Sequence, residues 1–315
     1  MDRSEVTKVY DDGYADIYDM RFILSPWAAT GAEFEEDQLR GLLEVDDDPH
    51  WLDLGCGTGN FLSRFPGVAR AGLDLSPAMV AKATEANPDA EFIREGSFLD
   101  DVDEWHDAWS LLSCMWTPYN YLASVWEVEE LVANMIRWTR PGGACFIPVM
   151  DLEDIRHVVT PYEEVPGEFG GVIALTSITW TWDEPHTGKH HEHLIAPQIG
   201  HFVRLFELEF ETVEVVRYPL FQNVGPSRKA VVAKGKRPRA DGVTAEVIWH
   251  DPPEPLPDPE PGGRGETADT AVGGGVPYTA LPTGVLSREL LRRVNPFDER
   301  FRRGLRRRID GRRNR

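Results

Sequence analysis

A strand-to-helix turn with three glycines at alternate positions constrains this 315-residue chain more than any other feature. Residues 51–59 read WLDLGCGTG, so an apolar strand enters the turn and a helix can begin after it. Glycine at these positions lets the backbone turn sharply and lets a ligand approach without meeting a Cβ. A second apolar strand, residues 71–74, ends in the carboxylate of Asp74. This order predicts a nucleoside-cofactor site in an open, mostly parallel sheet.

The glycine spacing separates two kinds of nucleoside site. A dinucleotide fingerprint reads G-x-G-x-x-G, whereas residues 53–59 read DLGCGTG. This stretch resembles motif I of the class I S-adenosylmethionine-dependent methyltransferases, D/E-x-G-x-G-x-G, at every fixed position. The resemblance implies that the loop holds the methionine end of S-adenosylmethionine and that Asp74 accepts hydrogen bonds from both ribose hydroxyls. Each such bond to a charged group contributes about 1.5–3 kcal/mol.

The same resemblance assigns further cofactor contacts. Leu75 and Met79 are expected to border the adenine. Ser97 and Phe98 follow the third predicted strand, where Ser97 replaces the aspartate that relatives usually place on the adenine amine. The full set of predicted cofactor-binding residues is Asp53, Gly55, Cys56, Gly57, Gly59, Asp74, Leu75, Met79, Ser97, Phe98 and Cys114.

The segment after the fourth predicted strand selects the methyl acceptor in this family. Residues 113–122 read SCMWTPYNYL, without the N/D-P-P-Y motif of enzymes that methylate nucleobase amines and without the Pro-Cys nucleophile of cytosine C5 enzymes. The segment is similar to the C/S-M-F-S-S-x-G-H/Y-L pattern of small-molecule enzymes that N-methylate amino sugars. That similarity is carried by Cys114, Met115, Trp116, Tyr121 and Leu122.

Two other stretches resemble the same branch, and the similarity spans about residues 8–235. Residues 10–19 resemble an N-terminal Y-x(7)-Y-D region that folds over the cofactor, and residues 224–229 resemble a G-P-S-G-R turn before the last strand. Sugar or glycan O-methyltransferases can carry the same features. The resemblance therefore implies an amine or hydroxyl acceptor on a small molecule, most readily a sugar or sugar-linked intermediate such as a nucleotide sugar or glycan.

Five residues are candidates for the catalytic or acceptor site. Tyr121, Tyr14 and Tyr18 can shape the site or bond an acceptor group, and the alternative is a packed aromatic ring with a satisfied hydroxyl. Asp151 follows the fifth predicted strand, at the sheet edge where ligands bind; it can bind an amine or act as a base, and the alternative is a helix cap. His193 is a candidate base because it lies nearest the sheet.

The histidines around His193 predict no metal site. On a strand His191 and His193 share a face while His190 points away, and no cysteine joins them. A solvated hairpin surface is the preferred interpretation of the cluster, which comprises His186, His190, His191 and His193.

Alternating strands and helices predict an α/β fold with a doubly wound, mostly parallel seven-stranded sheet. An antiparallel β hairpin is expected as an insertion near residues 172–196, as a lid or homodimer surface. The last two predicted strands, 212–217 and 229–233, are expected to run antiparallel to the rest. Residues 1–236 are predicted to form the methyltransferase domain, 237–275 a disordered Pro/Gly/acid-rich linker, and 276–315 a basic C-terminal tail.

Charge and composition restrict the classes of partner that the chain is expected to bind. A net charge of −20 opposes broad contact with nucleic acid, which requires Lys and Arg. The basic tail is either an amphipathic helix for an anionic membrane or acidic partner or a disordered charged segment. The charged N-terminus lacks an apolar signal region, and three scattered cysteines suggest no disulfide, so a cytoplasmic location is expected.

The leading hypothesis is a small-molecule methyltransferase that uses S-adenosylmethionine. One alternative acceptor is a lipid-linked or quinone-like metabolite. Another alternative is a non-catalytic cofactor-binding module whose basic tail binds a partner.

Overall fold

An eight-stranded sheet organises the part of the chain that the computed structural model describes. That part comprises residues 3–24, 26–151, 162–164, 172–174, 177–184, 187–219, 228–237, 243–251 and 253. Its strands in chain order are β1 (His50–Leu54), β2 (Ala69–Asp74), β3 (Phe92–Glu95), β4 (Trp109–Ser113), β5 (Thr139–Val149), β6 (Tyr162–Glu164), β7 (Val172–Ala174), β8 (Ser177–Asp183), β9 (His190–Pro197), β10 (Phe210–Arg217), β11 (Lys229–Lys236) and β12 (Glu246–Trp249).

The helices alternate with the first strands, as the sequence pattern predicts. They are α1 (Arg3–Val9), α2 (Asp12–Tyr18), α3 (Pro26–Leu43), α4 (Asn60–Ser63), α5 (Pro77–Ala86), α6 (Val125–Trp138) and α7 (Ile199–Phe206), with a π-helix at Asp19–Ile23 and 3₁₀ turns at Asp103–Trp105 and Pro118–Tyr121. The Ser76-Pro77 start of α5 is confirmed, because Ser76 Oγ accepts a hydrogen bond from the Met79 amide at 3.3 Å and Pro occupies the first helical position, as such starts prefer.

The main sheet has the order β12-β10-β11-β5-β4-β1-β2-β3. The predicted α/β class with a mostly parallel sheet is confirmed, but two details differ. Only β11 runs antiparallel to its neighbours β5 and β10, so β10 keeps the direction of the parallel strands. The eighth strand, β12, pairs parallel to β10 and lies inside the range predicted to be a disordered linker.

Successive residues of the central strands face opposite sides of the sheet, which separates the core into two layers. Leu52 and Leu112 pack with α6 and α7 on one side. Trp51 and Leu111 pack on the other side, with α3 and α4. The sequence therefore reads as near-continuous apolar strands rather than as alternating ones, which is typical of a sheet covered on both faces.

The insertion after β5 forms small sheets of its own. The strands β8 and β9 make an antiparallel pair, as predicted, and their register shifts between Trp180 and Trp182. A second short antiparallel pair joins β6 and β7. The three cysteines, Cys56, Cys114 and Cys145, are buried free thiols.

Among the described residues, no helix has both the length and the apolar character to cross a bilayer. The predicted basic tail at 276–315, and most of the predicted linker, lie outside those residues.

Candidate active site

The site lies at the carboxyl edge of the sheet, where the chain changes its winding direction. From β1 the chain proceeds outward to β2 and β3, whereas β4 and β5 lie on the other side of β1. Loops that leave β1 and β4 therefore diverge and leave a crevice between them, which is where open α/β sheets bind ligands.

The three glycines after β1 have separate structural roles, and all three have positive φ. A Cβ on Gly57 would meet nothing within 4 Å, because this glycine faces the crevice. A Cβ on Gly55 would lie 2.5 Å from Pro118 Cγ, and one on Gly59 would lie 2.9 Å from Ala83 Cβ of α5. Gly55 and Gly59 thus permit close packing, while Gly57 leaves room for a ligand.

Gly55→Ala is expected to destabilise the fold and distort the loop. The new methyl group would overlap Pro118, and alanine resists a φ of +71°, so a loss of about 1–3 kcal/mol in the free energy of unfolding follows. Gly41→Ala is the matched control: this glycine lies within α3 with nothing within 4 Å, and alanine there should stabilise the helix by up to about 1 kcal/mol. Urea denaturation of both variants measures the contrast, and equal effects would contradict the packing role.

Asp74 ends β2 and fixes the glycine loop. Its Oδ2 accepts a hydrogen bond from the Gly57 amide and its Oδ1 accepts one from the Ser76 amide, both at 2.8 Å. Burial raises the pKa of Asp74, while these two amide hydrogen bonds lower it. The carboxylate borders the crevice and keeps acceptor capacity, since two carboxylate oxygens offer about four lone-pair sites.

Asp53 lies behind the loop rather than on its surface. It is 1% exposed, and Ser113 Oγ donates to its Oδ1 at 2.6 Å, while Trp51 Nε1 donates to Ser113 at 2.7 Å. Burial raises the pKa of Asp53 to about 7. Asp53 therefore ties the end of β1 to the end of β4 and acts on the crevice through the loops that it holds.

A cavity of about 680 Å³ occupies the crevice, and we call it the glycine-loop cavity. Most of the predicted cofactor-binding residues line it, together with three of the five candidate catalytic residues. The predicted residues on its wall are Gly55, Cys56, Gly57, Asp74, Leu75, Met79, Ser97, Phe98, Tyr18, Tyr121 and His193.

Five predicted site residues do not line this cavity. Asp53 and Cys114 are buried in the core, and Gly59 packs on α5. Tyr14 lines a neighbouring pocket. Asp151 is 1% exposed and forms a 2.8 Å ion pair with Lys229, and it accepts a hydrogen bond from the Ile199 amide at 3.2 Å, so it caps α7 and does not reach the site.

The neighbouring pocket, of about 270 Å³, has walls made mostly of aromatic rings, and we call it the aromatic pocket. Tyr10, Tyr18, Trp116 and Tyr121 line both this pocket and the glycine-loop cavity. The other rings on its wall are Tyr14, Phe22, Trp180 and Trp182. The two spaces therefore meet at the shared tyrosines, where a molecule in one can approach a molecule in the other.

The loop between the two spaces has a strained backbone. Trp116 and Thr117 both have positive φ, +57° and +59°, although neither is glycine. Such conformations cost about 1–3 kcal/mol and persist only where the surroundings enforce them, often at binding sites. The Arg228 guanidinium lies 4.6 Å from the centre of the Trp116 ring and helps to hold this loop.

A chain of hydrogen bonds starts at Tyr121 and continues into the protein. Tyr121 Oη lies 2.8 Å from His191 Nδ1, and His191 Nε2 lies 3.3 Å from Glu184 Oε2. His191 and Glu184 are 0% and 1% exposed. Burial lowers the pKa of His191 and raises that of Tyr121 to about 12. The His191 side chain is therefore a neutral imidazole next to the neutral phenol of Tyr121.

The interpretation of the histidine cluster as a solvated surface is wrong for His191. The strand pairing places Trp182 opposite His191 and Trp180 opposite Leu194, so β9 contains one residue more than β8 over this span. Such a bulge breaks the inward–outward alternation. His193 consequently has a positive φ of +56° and a side chain 74% exposed, and His191 points inward instead.

The charge of the site is predominantly negative. Three acidic residues, Glu5, Asp74 and Glu127, line the glycine-loop cavity. Among the described residues lining either space, Arg228 is the sole Lys or Arg. The acidic side chains thus belong to the glycine-loop cavity, and Arg228 is the one charged residue among the described residues that line the aromatic pocket.

Sequence reasoning missed His191 as a site residue, and also Glu184, Trp180 and Trp182. Glu184 sits at the turn after β8, and its hydrogen-bond partner Tyr14 is 170 residues away along the chain. The dense tryptophans and histidines of the hairpin were the available signal, but their orientation depends on the bulge.

Comparison with known proteins agrees with this geometry. A sequence profile for the methyltransferase domain matches residues 52–143. The chain is 32% identical over 149 residues to the dTDP-4-amino-2,3,4,6-tetradeoxy-D-glucose N,N-dimethyltransferase of Saccharopolyspora spinosa, an alignment that covers 46% of this chain and only 57% of that protein. It is 30% identical over 229 residues to the trans-aconitate 2-methyltransferase of Escherichia fergusonii, which covers 68% of this chain and 77% of that protein.

Solved structures are matched at lower sequence identity. The crystal structure of DesVI from Streptomyces venezuelae superposes with a TM-score of 0.46 at 22% identity, over 70% of this chain and 98% of that chain.

Proposed function

We propose that this chain, which belongs to the class I S-adenosylmethionine-dependent methyltransferases, methylates an amine on a sugar or sugar-linked small molecule. The observation that carries the proposal is the aromatic-walled pocket that meets the glycine-loop cavity at Tyr10, Tyr18 and Tyr121. The proposal has two parts, which are the placement of the cofactor and the chemistry of the acceptor.

The glycine-loop cavity suits the cofactor. Gly57 faces it without a Cβ, which lets a ligand approach the backbone, and the Asp74 carboxylate lies on its wall with acceptor sites to offer a ribose diol. Leu75, Met79 and Phe98 supply an apolar surface for an adenine ring. When bound, S-adenosylmethionine supplies a methyl group already activated by its positive sulfur.

The aromatic pocket suits a sugar that carries an amine. Ring faces offer flat apolar surface to the C–H face of a pyranose, and they attract a protonated amine by about 0.5–2 kcal/mol each through cation–π interaction. Glu184 lies behind the tyrosines, with its carboxylate 2.9 Å from Tyr14 Oη. A cationic amine is therefore favoured by the aromatic wall of this pocket.

The scarcity of cationic side chains disfavours a tricarboxylate such as trans-aconitate. Binding three carboxylates calls for several Arg or Lys side chains, because each unpaired carboxylate would lose its hydration. Arg228 alone supplies such a charge among the described lining residues, so two of the three carboxylates would lack a cationic partner there. Similarity to the trans-aconitate enzyme therefore does not carry its acceptor over to this chain.

An acceptor panel tests the proposal. The full chain is incubated with S-adenosylmethionine and the methyl glycoside of a 4-amino-4,6-dideoxyhexose, its 4-hydroxyl counterpart, or trans-aconitate, and S-adenosylhomocysteine is quantified. We expect turnover with the amino sugar at least 100-fold faster than with either other compound. Preferred methylation of trans-aconitate, or of the hydroxyl sugar, would contradict the amine assignment.

A further inference from the structure

We propose that Tyr121, His191 and Glu184 form a proton relay that carries the acceptor's proton from the glycine-loop cavity to a buried imidazole–carboxylate pair. The inference deepens the proposed function and rests on it for the identity of the acceptor. It assigns Tyr121 as the catalytic residue and His191 and Glu184 as positioning residues that act through it.

The relay is continuous from the cavity wall to the interior. Tyr121 lines both spaces, and its hydroxyl is 2.8 Å from His191 Nδ1. His191 Nε2 is 3.3 Å from Glu184 Oε2. The His191 ring stacks on Trp182 with centroids 4.9 Å apart and planes 20° apart, which fixes its orientation.

The hydrogen-bond partners assign one proton arrangement. An ionised carboxylate only accepts hydrogen bonds, so Glu184 requires the proton of His191 to be on Nε2. His191 Nδ1 is then the acceptor, and the Tyr121 hydroxyl donates to it. Tyr10 Oη donates to Tyr121 Oη at 2.9 Å, which helps to fix the orientation of the Tyr121 hydroxyl.

Several charged groups face the relay. On the imidazole side these are Glu184, His190 and Lys189, and their electrostatic effects on His191 differ in sign. Glu184 receives a hydrogen bond from Tyr14 at 2.9 Å and an ion pair from the Arg21 guanidinium. Those two partners hold the carboxylate in place.

The proton balance follows from these bonds. An amine that binds in its protonated form must first release one proton to solvent, because only the neutral nitrogen has the lone pair that accepts the methyl group. The methylated nitrogen is positively charged, and one of its N–H bonds then breaks. Its proton bonds to Tyr121 Oη while the Tyr121 proton passes to His191 Nδ1. The result is an imidazolium beside the Glu184 carboxylate, and the proton later returns by the same path to solvent. Burial lowers the pKa of His191, so the proton-accepting form prevails at neutral pH.

A first test needs no acceptor. Nitrogen-15 and proton NMR of the full chain, with the His191 signals identified by their loss in His191→Gln, reports which ring nitrogen carries the proton and at which pH the ring titrates. We expect the Nε2–H tautomer and titration below the usual range for histidine. In Glu184→Gln the midpoint should fall further, because the carboxylate that favours the imidazolium is gone. An Nδ1–H tautomer, or an unchanged midpoint in Glu184→Gln, would overturn the relay.

A second test follows the rate against pH with the acceptor that the panel identifies. His191→Gln should lower kcat about 100-fold at neutral pH, within the usual range for general acid–base catalysis, and should remove one inflection on the acid side. The acceptor amine also ionises, and the inflection that it causes must persist in the variant. Comparing the wild-type and His191→Gln profiles therefore distinguishes the inflection of the amine from that of His191. Tyr121→Phe should behave like His191→Gln.

The matched control is His106→Gln, which alters an exposed histidine that pairs with Asp101 and lines neither the glycine-loop cavity nor the aromatic pocket. Its kcat and pH profile should equal those of the wild type. A His191→Gln profile that keeps every inflection, with only a uniform loss of rate, would overturn the relay. Failure of the wild type to methylate any amine would instead contradict the proposed function, and the NMR result would still decide the relay.

Discussion

Asp74→Asn is expected to weaken S-adenosylmethionine binding at least 100-fold. The carboxylate would lose two charge-assisted hydrogen bonds to the ribose, each contributing about 1.5–3 kcal/mol, and every 1.4 kcal/mol is tenfold in affinity. The amide also turns one oxygen acceptor into a donor, which then faces the Gly57 or Ser76 amide. Isothermal titration calorimetry of the full chain measures the change in Kd.

The control for this prediction lies on the adjacent strand. Glu95 pairs in register with Asp74 on β3 but is exposed and absent from the cavity wall. Glu95→Gln should leave Kd within about twofold. An Asp74→Asn variant that binds as tightly as the wild type would remove Asp74 from the cofactor site, whereas equal losses in both variants would indicate a general charge effect.

Lys229→Met is expected to lower the free energy of unfolding by about 3–5 kcal/mol, because it leaves a buried carboxylate without its ion-pair partner. Lys229 and Asp151 have side chains 5% and 1% exposed and lie 2.8 Å apart. Asp151 would retain the hydrogen bond from the Ile199 amide, which does not neutralise its charge. Chemical denaturation monitored by tryptophan fluorescence measures the loss.

Lys234→Met on the same strand provides the comparison. Lys234 pairs with Glu214, and its side chain is 44% exposed, so its removal should cost less than about 1 kcal/mol. Combining Lys229→Met with Asp151→Asn should recover part of the stability, since no buried charge then remains. A loss for Lys229→Met no larger than that for Lys234→Met would show that the buried pair contributes little.

Structural features that depend only on residues close together in the sequence could be predicted. The glycine loop, the carboxylate that ends β2, and the Ser76 cap of α5 depend on neighbours within a few residues, and each element appears where the pattern indicates. The apolar strands likewise predict a sheet covered on both faces. The direction of β10 and the pairing of β12 could not be predicted, because both depend on strands distant along the chain.

The candidate acceptor-site residues show more clearly which features could not be predicted from the sequence. The position of Asp151 after β5 makes it a candidate site residue in the sequence. In the fold it forms a buried ion pair with Lys229, which lies 78 residues later. His193 and His191 share a face only on an ideal strand, and the extra residue in β9 exchanges their exposure. Tyr14 and Tyr18 line the aromatic pocket as predicted neighbours of the acceptor, and their catalytic role stays a prediction.

The position of β12 bears on how the catalytic part of this protein can be prepared in isolation. The change of composition after Lys236 suggests a natural end for a shortened chain, yet Glu246–Trp249 hydrogen-bond along β10 between Thr212 and Val215. Truncation at 236 would move the edge of the sheet from the four-residue β12 to the eight-residue β10, and long bare strand edges recruit strands from other molecules. A shortened protein that ends beyond residue 251 would stay monodisperse at concentrations where one that ends at 236 would precipitate.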